Sequence, residues 1–314
     1  MRYKIESNNS TLHASLSKEY QPILTIESGD SIQLNTIDIG WGINKREGER
    51  IRYQSRENEG EWGHPIVGPI AIKGAKPGMA LEIKINDLIP SWYGWNCAGG
   101  DDSWHNRQLG LADYPEITFD WNLDQPTQTG TCQYNNHSFK IPLAPFLGFM
   151  SVVPNEDGKH STMPPRYCGG NIDCKELVKG STLYLPIGVD GALFSVGDGH
   201  AAQGDGEVSG QAIECPMDLV DLTLTLREGM QLKLPRADTP NGWITFGFHE
   251  DLNKATIMAL EEMLLLLQEF YGLDKAEATV LASSVVDLRI TQIVNGVKGV
   301  HAVLPHGIIS HTLK

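Results

Sequence analysis

The sequence contains few cysteines, and no two of them have the spacing of a redox or zinc motif. The five are Cys97, Cys132, Cys168, Cys174 and Cys215. An odd number of widely separated cysteines without a C-x-x-C pair argues against a disulfide framework. We therefore expect reduced thiols and a cytoplasmic protein.

Positive charge and long apolar runs are also scarce. Lys and Arg number 25 against 39 Asp and Glu, a formal net charge of −14. Binding to nucleic acid or to an anionic membrane needs a basic surface, so neither partner is expected. The longest apolar cluster, Met263–Leu267, is too short to span a bilayer. Residues 1–10 lack the apolar core of a signal peptide.

Short alternating apolar runs dominate the first two thirds of the chain. Examples are PIAI and ALEIKINDLI, and they are separated by turns rich in the 33 glycines and 17 prolines. This pattern is typical of short strands joined by tight turns. At 314 residues the chain has room for one or two domains. We expect a mainly β, β-sandwich-like body over residues 1–215 that carries the site.

The last third has a different periodicity. Apolar residues three and four apart predict an amphipathic helix over Asp251–Tyr271, ended by Gly272. A second helix is predicted from Asp274 to Ser284, followed by a hairpin around Asn295 and Gly296. Residues 216–314 therefore form a smaller α+β part.

Two segments give little periodic signal. The charged stretch 41–63 is expected to be a mobile excursion or a functional lid. Residues 91–140 are expected to contain loops and short strands, with an exposed insertion at Gly99–Arg107.

The densest group of polar side chains lies in Gly197–Glu207, which reads GDGHAAQGDGE directly after the apolar run GALFSV. Asp198 and His200 are two positions apart, so on an extended backbone they face the same side. Such a pair can supply two ligands to a divalent metal. The alternative is a glycine-rich turn whose acids are solvated.

Other polar residues have both functional and structural interpretations. Asn171 and Asp173 form a second same-side pair beside two glycines, although an Asx turn would also use either residue. Glu214 lies in the apolar context AIEC, where a metal, an arginine or an exposed sheet edge would explain it. His64 precedes Pro65, a position in which histidine is usually structural.

Several of these segments resemble the acetamidase/formamidase family. The resemblance rests on His64-Pro65 through GPI and GAKPG, on PFLGFMSVVP, on GGNID, on GALFSVGDGHAAQGDGEVSGQAIEC and on the closing YGLDKAEATVLASSVVDLRITQIVNGVKGVHAVLP. The chain length is similar to that of acetamidase-like members. Val67 stands where the family tends to have Thr, and Ser209 where Cys is common.

The resemblance implies a metal-dependent amidohydrolase that converts short aliphatic amides, such as acetamide and formamide, to carboxylate and ammonia. It also implies a divalent metal, zinc in the first place and calcium as the alternative. The implied fold has two related β portions, and the implied assembly is a homodimer or higher homo-oligomer.

Within this reading each polar residue receives a role. The candidate metal ligands are Asp173, Asp198, His200 and Glu214, with His64 as a fifth. Glu207 or Asp205 would carry the proton from water to the departing nitrogen, so the catalytic candidates are Glu207, Asp205 and His64. Asn171 and Gln203 would bind the substrate amide or the oxyanion.

Two other functions fit the same residues. Cys168 or Cys174 could act as the nucleophile of a thiol-dependent amidase. A metal-binding β-sandwich without catalytic activity would also explain the Asp- and Gly-rich segment and the tryptophans.

Overall fold

The computed structural model describes residues 1–57 and 63–312. These residues are mainly β, with 42% in strands and 12% in helices. The mainly β fold with a small helical part near the C-terminus is therefore confirmed. No helix in the described ranges is long and apolar enough to cross a membrane.

The largest sheet has nine strands and draws on nearly the whole chain. With strands numbered in chain order, its order is β1 (Arg2–Ile5), β5 (Asp30–Leu34), β19 (Met217–Arg227), β9 (Ala80–Pro90), β17 (Thr182–Pro186), β20 (Arg236–Thr239), β21 (Gly242–His249), β23 (Lys298–Pro305) and β22 (Asp287–Gln292). Because β19 lies between β5 and β9, the boundary predicted at residue 215 does not coincide with a break in the sheet. The division into 1–215 and 216–314 stays a prediction about folding units.

A second sheet of six strands carries most of the polar residues singled out above. Its order is β16 (Gly169–Asn171), β14 (Phe146–Ser151), β18 (Phe194–His200), β8 (Ile66–Ile72) and β2 (Leu12–His13), with β4 (Leu24–Ile26) also paired to β8. Every residue of β14, β16, β18 and β8 is buried. Polar groups at the ends of these strands are therefore enclosed by protein.

Three smaller sheets complete the β structure of the described residues. They are the meander β10 (Tyr93–Ala98), β11 (Ile117–Asp124), β12 (Thr129–Tyr134) and β13 (His137–Pro142), and the pairs β15 (His160–Ser161) with β3 (Ser15–Leu16) and β6 (Gly42–Ile43) with β7 (Ile51–Arg52).

The two segments with little periodic signal contain short strands and one short helix. Residues 58–62, within the segment predicted to be an excursion or lid, lie outside the described residues. Before them, Arg50 forms an ion pair with Asp38 at 2.5 Å. In the predicted exposed insertion, Ser103 caps the short helix α1 (Trp104–Leu109), and His105 and Asn106 are buried. The insertion is therefore not a fully exposed loop.

One hydrophobic core joins the two large sheets. The alternation in β9 and β19 places Ile83 and Ile85 of the first strand and Leu222 and Leu224 of the second in the interior. They share a cluster with Phe194 of the six-stranded sheet. Burial of such side chains stabilises a fold by about 1.5–3 kcal/mol each.

The C-terminal helices cover one side of the nine-stranded sheet. Helix α2 (Leu252–Tyr271) begins at its cap Asp251 and ends at Gly272, as the periodicity predicted. Helix α3 (Lys275–Val285) begins with the predicted capping box. Thr245 of β21 donates to the Ala259 carbonyl of α2 at 2.8 Å, which ties the helix to the sheet.

Candidate active site

Strand β18 brings Asp198 and His200 to one buried site. Strand β18 extends beyond the apolar run to His200, so the pair belongs to the strand itself. The two side chains meet, as expected of a same-side pair: His200 Nε2 lies 3.3 Å from Asp198 Oδ1. Both side chains are almost completely buried.

Neighbouring segments add three carboxylates to this pair. Glu214 Oε2 also lies 3.3 Å from His200 Nε2. Ligand-type atoms of Asp173, His200 and Glu207 lie within 4.8 Å of one another, and so do those of Asp198, His200 and Glu214. All five side chains are buried. We call these five residues the acidic cluster.

Three acids of the acidic cluster adopt an unusual backbone conformation. Asp173, Asp198 and Glu207 have φ angles of 55°, 58° and 49°. Non-glycine residues rarely occupy this left-handed region, and such residues concentrate at functional sites. The backbone is thus arranged to direct these carboxylates to one place.

Many polar atoms of the acidic cluster have no hydrogen-bond partner. The buried atoms in this condition are Asp173 Oδ1, Asp198 Oδ1, His200 Nδ1, Glu207 Oε2 and Glu214 Oε2. An unpaired buried polar atom costs about 1–3 kcal/mol, and more when it is charged. Five such atoms on neighbouring side chains mark this cluster as a place where a ligand could bind.

The charges of the acidic cluster are strongly unbalanced. Burial raises the pKa of Glu207 to about 8 and that of Glu214 to about 7. Burial, reinforced by the charge of Glu207, also raises the pKa of Asp173 well above its usual range. These carboxylates resist ionisation together because burial and their mutual repulsion disfavour the charged forms.

The imidazoles of His200 and His64 favour the ionised form of Asp198. Burial disfavours the charged form of Asp198, but His200 and His64 outweigh it and hold the pKa of Asp198 at about 2. Burial also opposes protonation of His200, but Glu214 and Asp198 raise its pKa well above the usual range. Within the described ranges, the ion-pair contacts of the acidic cluster join His200 to Asp198 and to Glu214. A divalent cation would remove this imbalance.

A cavity of about 290 Å³ opens onto the acidic cluster. Its walls include His64, Asn171, Met163 and Asn295. The Asn171 side-chain oxygen is buried without a partner. His64 Nδ1 lies 3.2 Å from Thr162 Oγ1, and burial lowers the pKa of His64. A small polar molecule would therefore meet both side chains beside the carboxylates.

The structure separates Gln203 and Asp205 from this cavity. Gln203 Nε2 donates to the main-chain oxygen of Asp173 at 2.8 Å, so this residue holds the main chain of a site residue. Asp205 forms an ion pair with Lys175 at 3.1 Å and is about one third exposed. Both line a neighbouring cavity of about 450 Å³. Glu207 borders both cavities.

Two residues of the site were not found from the sequence. Asn295 donates to Asp173 Oδ2 at 2.7 Å, although it belongs to the turn between β22 and β23. Gly148 of β14 is in direct contact with the acidic cluster, because a Cβ there would lie 2.7 Å from Asp173 Oδ1. Gly148 has no polar side chain, and Asn295 does not lie in a motif of ligand-type residues, so neither could be recognised from the sequence.

The thiols occupy different surroundings. Cys168 is buried, and burial raises its pKa to about 12. Cys174 is buried and donates to Glu176 at 3.2 Å, while Arg289 pairs with the other oxygen of Glu176 at 2.9 Å. A buried, protonated thiol is a poor nucleophile. The arrangement therefore disfavours a thiol-dependent amidase.

Comparisons with known proteins agree with the resemblance seen in the sequence. Residues 153–311 match the model of the Acetamidase/Formamidase family. A formamidase of Methylophilus methylotrophus is 52% identical over 192 residues, covering 46% of this chain and 47% of the relative. An acetamidase of Mycolicibacterium smegmatis is 26% identical over 201 residues, covering 46% and 49%. The chain thus spans about half the length of the curated relatives that it matches.

A solved structure extends the similarity over the whole chain. A predicted acetamidase/formamidase of Thermoanaerobacter tengcongensis is 27% identical, with a TM-score of 0.83 and coverage of 98% of this chain and 97% of the other.

Proposed function

Because this chain belongs to the acetamidase/formamidase family, we propose that it hydrolyses short aliphatic amides such as acetamide and formamide to carboxylate and ammonia. The observation that supports this best is the acidic cluster, whose unpaired buried atoms face a cavity of about 290 Å³. A cavity of this size accepts one small amide. The curated relatives named acetamidase and formamidase support the substrate class.

The acidic cluster fits a divalent metal ion. Asp173, Asp198, His200 and Glu214 would hold it, with His64 beside them. Zinc is our first candidate because it accepts imidazole together with carboxylate, and calcium is the alternative because most of the donors are oxygen atoms. When bound, such an ion polarises a carbonyl oxygen and lowers the pKa of water towards about 7.

Glu207 is the proposed proton carrier. It is buried, one of its oxygens has no partner, and it borders the cavity. A carboxylate in this position can accept a proton from the attacking water and deliver it to the amide nitrogen, so that ammonia rather than an amide anion departs. Asp205 is the weaker candidate, because Lys175 already holds it in the neighbouring cavity.

Asn171 is proposed to bind the substrate amide. Its unpaired oxygen can accept from the substrate N–H2 group, and its N–H2 group can donate to a carbonyl oxygen. Gln203, proposed from the sequence for the same task, would instead act by holding the Asp173 main chain. His64 would form the wall opposite, against Phe149.

We also propose a cytoplasmic homodimer or higher homo-oligomer. The free cysteines are compatible with a reducing compartment. Ile257 and Leu265 are exposed apolar residues on neighbouring positions around α2, and we propose that they take part in self-association. Light scattering on the purified protein measures the number of subunits.

The central experiment combines elemental analysis with an ammonia-release assay on acetamide and formamide. The His200→Ala variant should lose the metal and the activity together, because His200 belongs to both ligand groups. His137→Ala, which changes an exposed histidine of β13, is the matched control and should keep both.

Other outcomes would assign another function. Stoichiometric metal in the His200→Ala variant would show that His200 is not a ligand. Wild-type protein that binds metal but releases no ammonia would be a non-catalytic metal-binding β-sandwich. Activity that resists chelators and is abolished by iodoacetamide would instead identify a thiol-dependent amidase.

A further inference from the structure

The turn between β22 and β23 delivers one side chain to the acidic cluster. Asn295 Nδ2 donates to Asp173 Oδ2 at 2.7 Å, across 122 positions of the chain. Asn295 also lines the cavity above the acidic cluster. A side chain in this position can either meet the substrate or orient Asp173.

The two carboxylate oxygens of Asp173 have different surroundings. Oδ2 accepts the bond from Asn295, whereas Oδ1 is buried without a hydrogen-bond partner. The carboxylate belongs to the group that it forms with His200 and Glu207. Asn295 therefore engages one oxygen and leaves the other available to the acidic cluster.

The main chain of Asp173 is fixed by other contacts. Its N–H donates to the Gly148 carbonyl at 3.3 Å, and its carbonyl accepts from Gln203 at 2.8 Å. With the backbone held, rotation of the carboxylate is the remaining freedom. The bond from Asn295 restricts this rotation.

Asn295 is itself held rigidly. The buried Gln292 accepts at Oε1 from the N–H groups of Val294 and Asn295 at 2.9 and 3.2 Å. Its Nε2 donates to the Val297 carbonyl at 2.7 Å. The turn is thus closed around one amide side chain, which holds the main chain of Asn295.

The same turn is attached to the segment that carries Glu207. Gly206 N–H donates to the Thr291 carbonyl, and Ile293 N–H donates to the Gly206 carbonyl, each at 3.1 Å. The C-terminal hairpin therefore contacts the acidic cluster from two sides.

We propose that Asn295 is a positioning residue of the metal centre, which holds Asp173 Oδ2 so that Oδ1 is presented to the ion. This inference rests on the metal centre of the proposed function. Removal of a partner that orients a ligand typically weakens metal binding by about 10- to 100-fold. Loss of such a residue weakens metal binding, and it lowers turnover only because less of the enzyme carries metal.

The test measures the zinc dissociation constant, by competition with a chelator, for wild type, Asn295→Ala and Asn295→Leu. The leucine variant is close to asparagine in size but cannot donate. Both should bind zinc about 10- to 100-fold more weakly. Their kcat, low at limiting zinc, should recover when zinc is saturating.

Asn86→Ala is the matched control. Asn86 Nδ2 donates to Asp221 Oδ1 at 2.9 Å in the nine-stranded sheet, so this variant removes a bond of the same kind away from the acidic cluster. Its zinc affinity should equal that of wild type. Circular dichroism checks that each variant is folded.

Unchanged zinc affinity in both folded Asn295 variants would overturn the inference. A raised KM with normal zinc affinity would assign Asn295 to the substrate instead and would also overturn it. Wild-type protein that hydrolyses amides without any bound metal refutes the metal centre itself, and this result is visible before any variant is compared.

Discussion

At the scale of single residues, Glu207 is the side chain whose chemistry is most open to test. The Glu207→Gln variant keeps the shape of the side chain but cannot accept a proton. We expect the metal content to be unchanged and the rate of ammonia release to fall by about 10²- to 10⁴-fold.

The comparison with Asp205→Asn completes this test. Asp205 pairs with Lys175 outside the cavity, so its variant should keep most of the activity. A Glu207→Gln protein with full metal and near-normal turnover would remove Glu207 from the chemistry and leave Asp205 as the next candidate.

Gly148 is the residue that leaves room for the acidic cluster. A Cβ at this position would collide with Asp198 Oδ2 and would lie 2.7 Å from both Asp173 Oδ1 and His200 Cε1. In Gly148→Ala these side chains must move, and a displacement of about 1 Å can lower activity by about 10²-fold. The measurements are metal content and ammonia release.

Gly204→Ala is the control for this substitution. Gly204 lies in the segment between His200 and Glu207, and a Cβ there would have nothing within 4 Å. The variant should retain metal and activity. Equal losses in both variants would mean that the space at Gly148 has no special importance.

At the scale of helices and strands, the sequence predicted those elements that are specified by residues close together in the chain. Helix α2 and the capping box of α3 followed from apolar spacing and polar caps, and both occur within a residue or two of the predicted limits. The hairpin around Asn295 and Gly296 is formed by β22 and β23, as predicted. These features depend on residues close together in the chain, so they can be predicted from it.

Elements defined by distant contacts could not be predicted in the same way. The run after Val196 contains glycines and acids, which favour a turn, but pairing with β14 keeps it in the sheet to His200, with Asp198 in the left-handed region. The place of β19 between β5 and β9 likewise depends on partners far along the chain.

The residues of the candidate site also fall into two groups, those recognisable from local sequence and those that depend on distant contacts. Asp173, Asp198 and Glu207 were recognisable because ligand-type side chains occur together in GGNID and GDGHAAQGDGE, and Glu214 because it is a carboxylate in the apolar context AIEC. Asn295 and Gly148 were not, because their importance lies in a hydrogen bond and a space that exist only after folding.

At the scale of the whole molecule, Glu176 connects the segment after Asp173 to the C-terminal hairpin. It pairs with Arg289 of β22 at 2.9 Å and with His301 of β23 at 3.5 Å, and the Cys174 thiol faces it as well. Burial opposes its ionisation, but His301 outweighs burial and lowers the pKa of Glu176 from 4.5 to about 2.

This shift predicts how stability depends on pH. Because the pKa is lower in the folded state, ionised Glu176 stabilises the fold fully above pH 4.5, and this contribution is lost as the pH falls towards 2. We expect the difference in free energy of unfolding between wild type and Glu176→Gln to shrink by about 1 kcal/mol for each pH unit below 4.5. Urea unfolding at several pH values measures it, and a constant difference would contradict the prediction.

The bond from Asn295 to Asp173 also has a consequence for synthesis on the ribosome. Asp173 cannot accept the hydrogen bond from Asn295 until the β22–β23 turn has left the exit tunnel. The nine-stranded sheet cannot be completed before β23 is available. Chains rich in such long-range contacts fold slowly, because loop closure must precede the contacts that reward it. The nascent chain therefore carries Asp173 without this bond while the following 122 positions are synthesised.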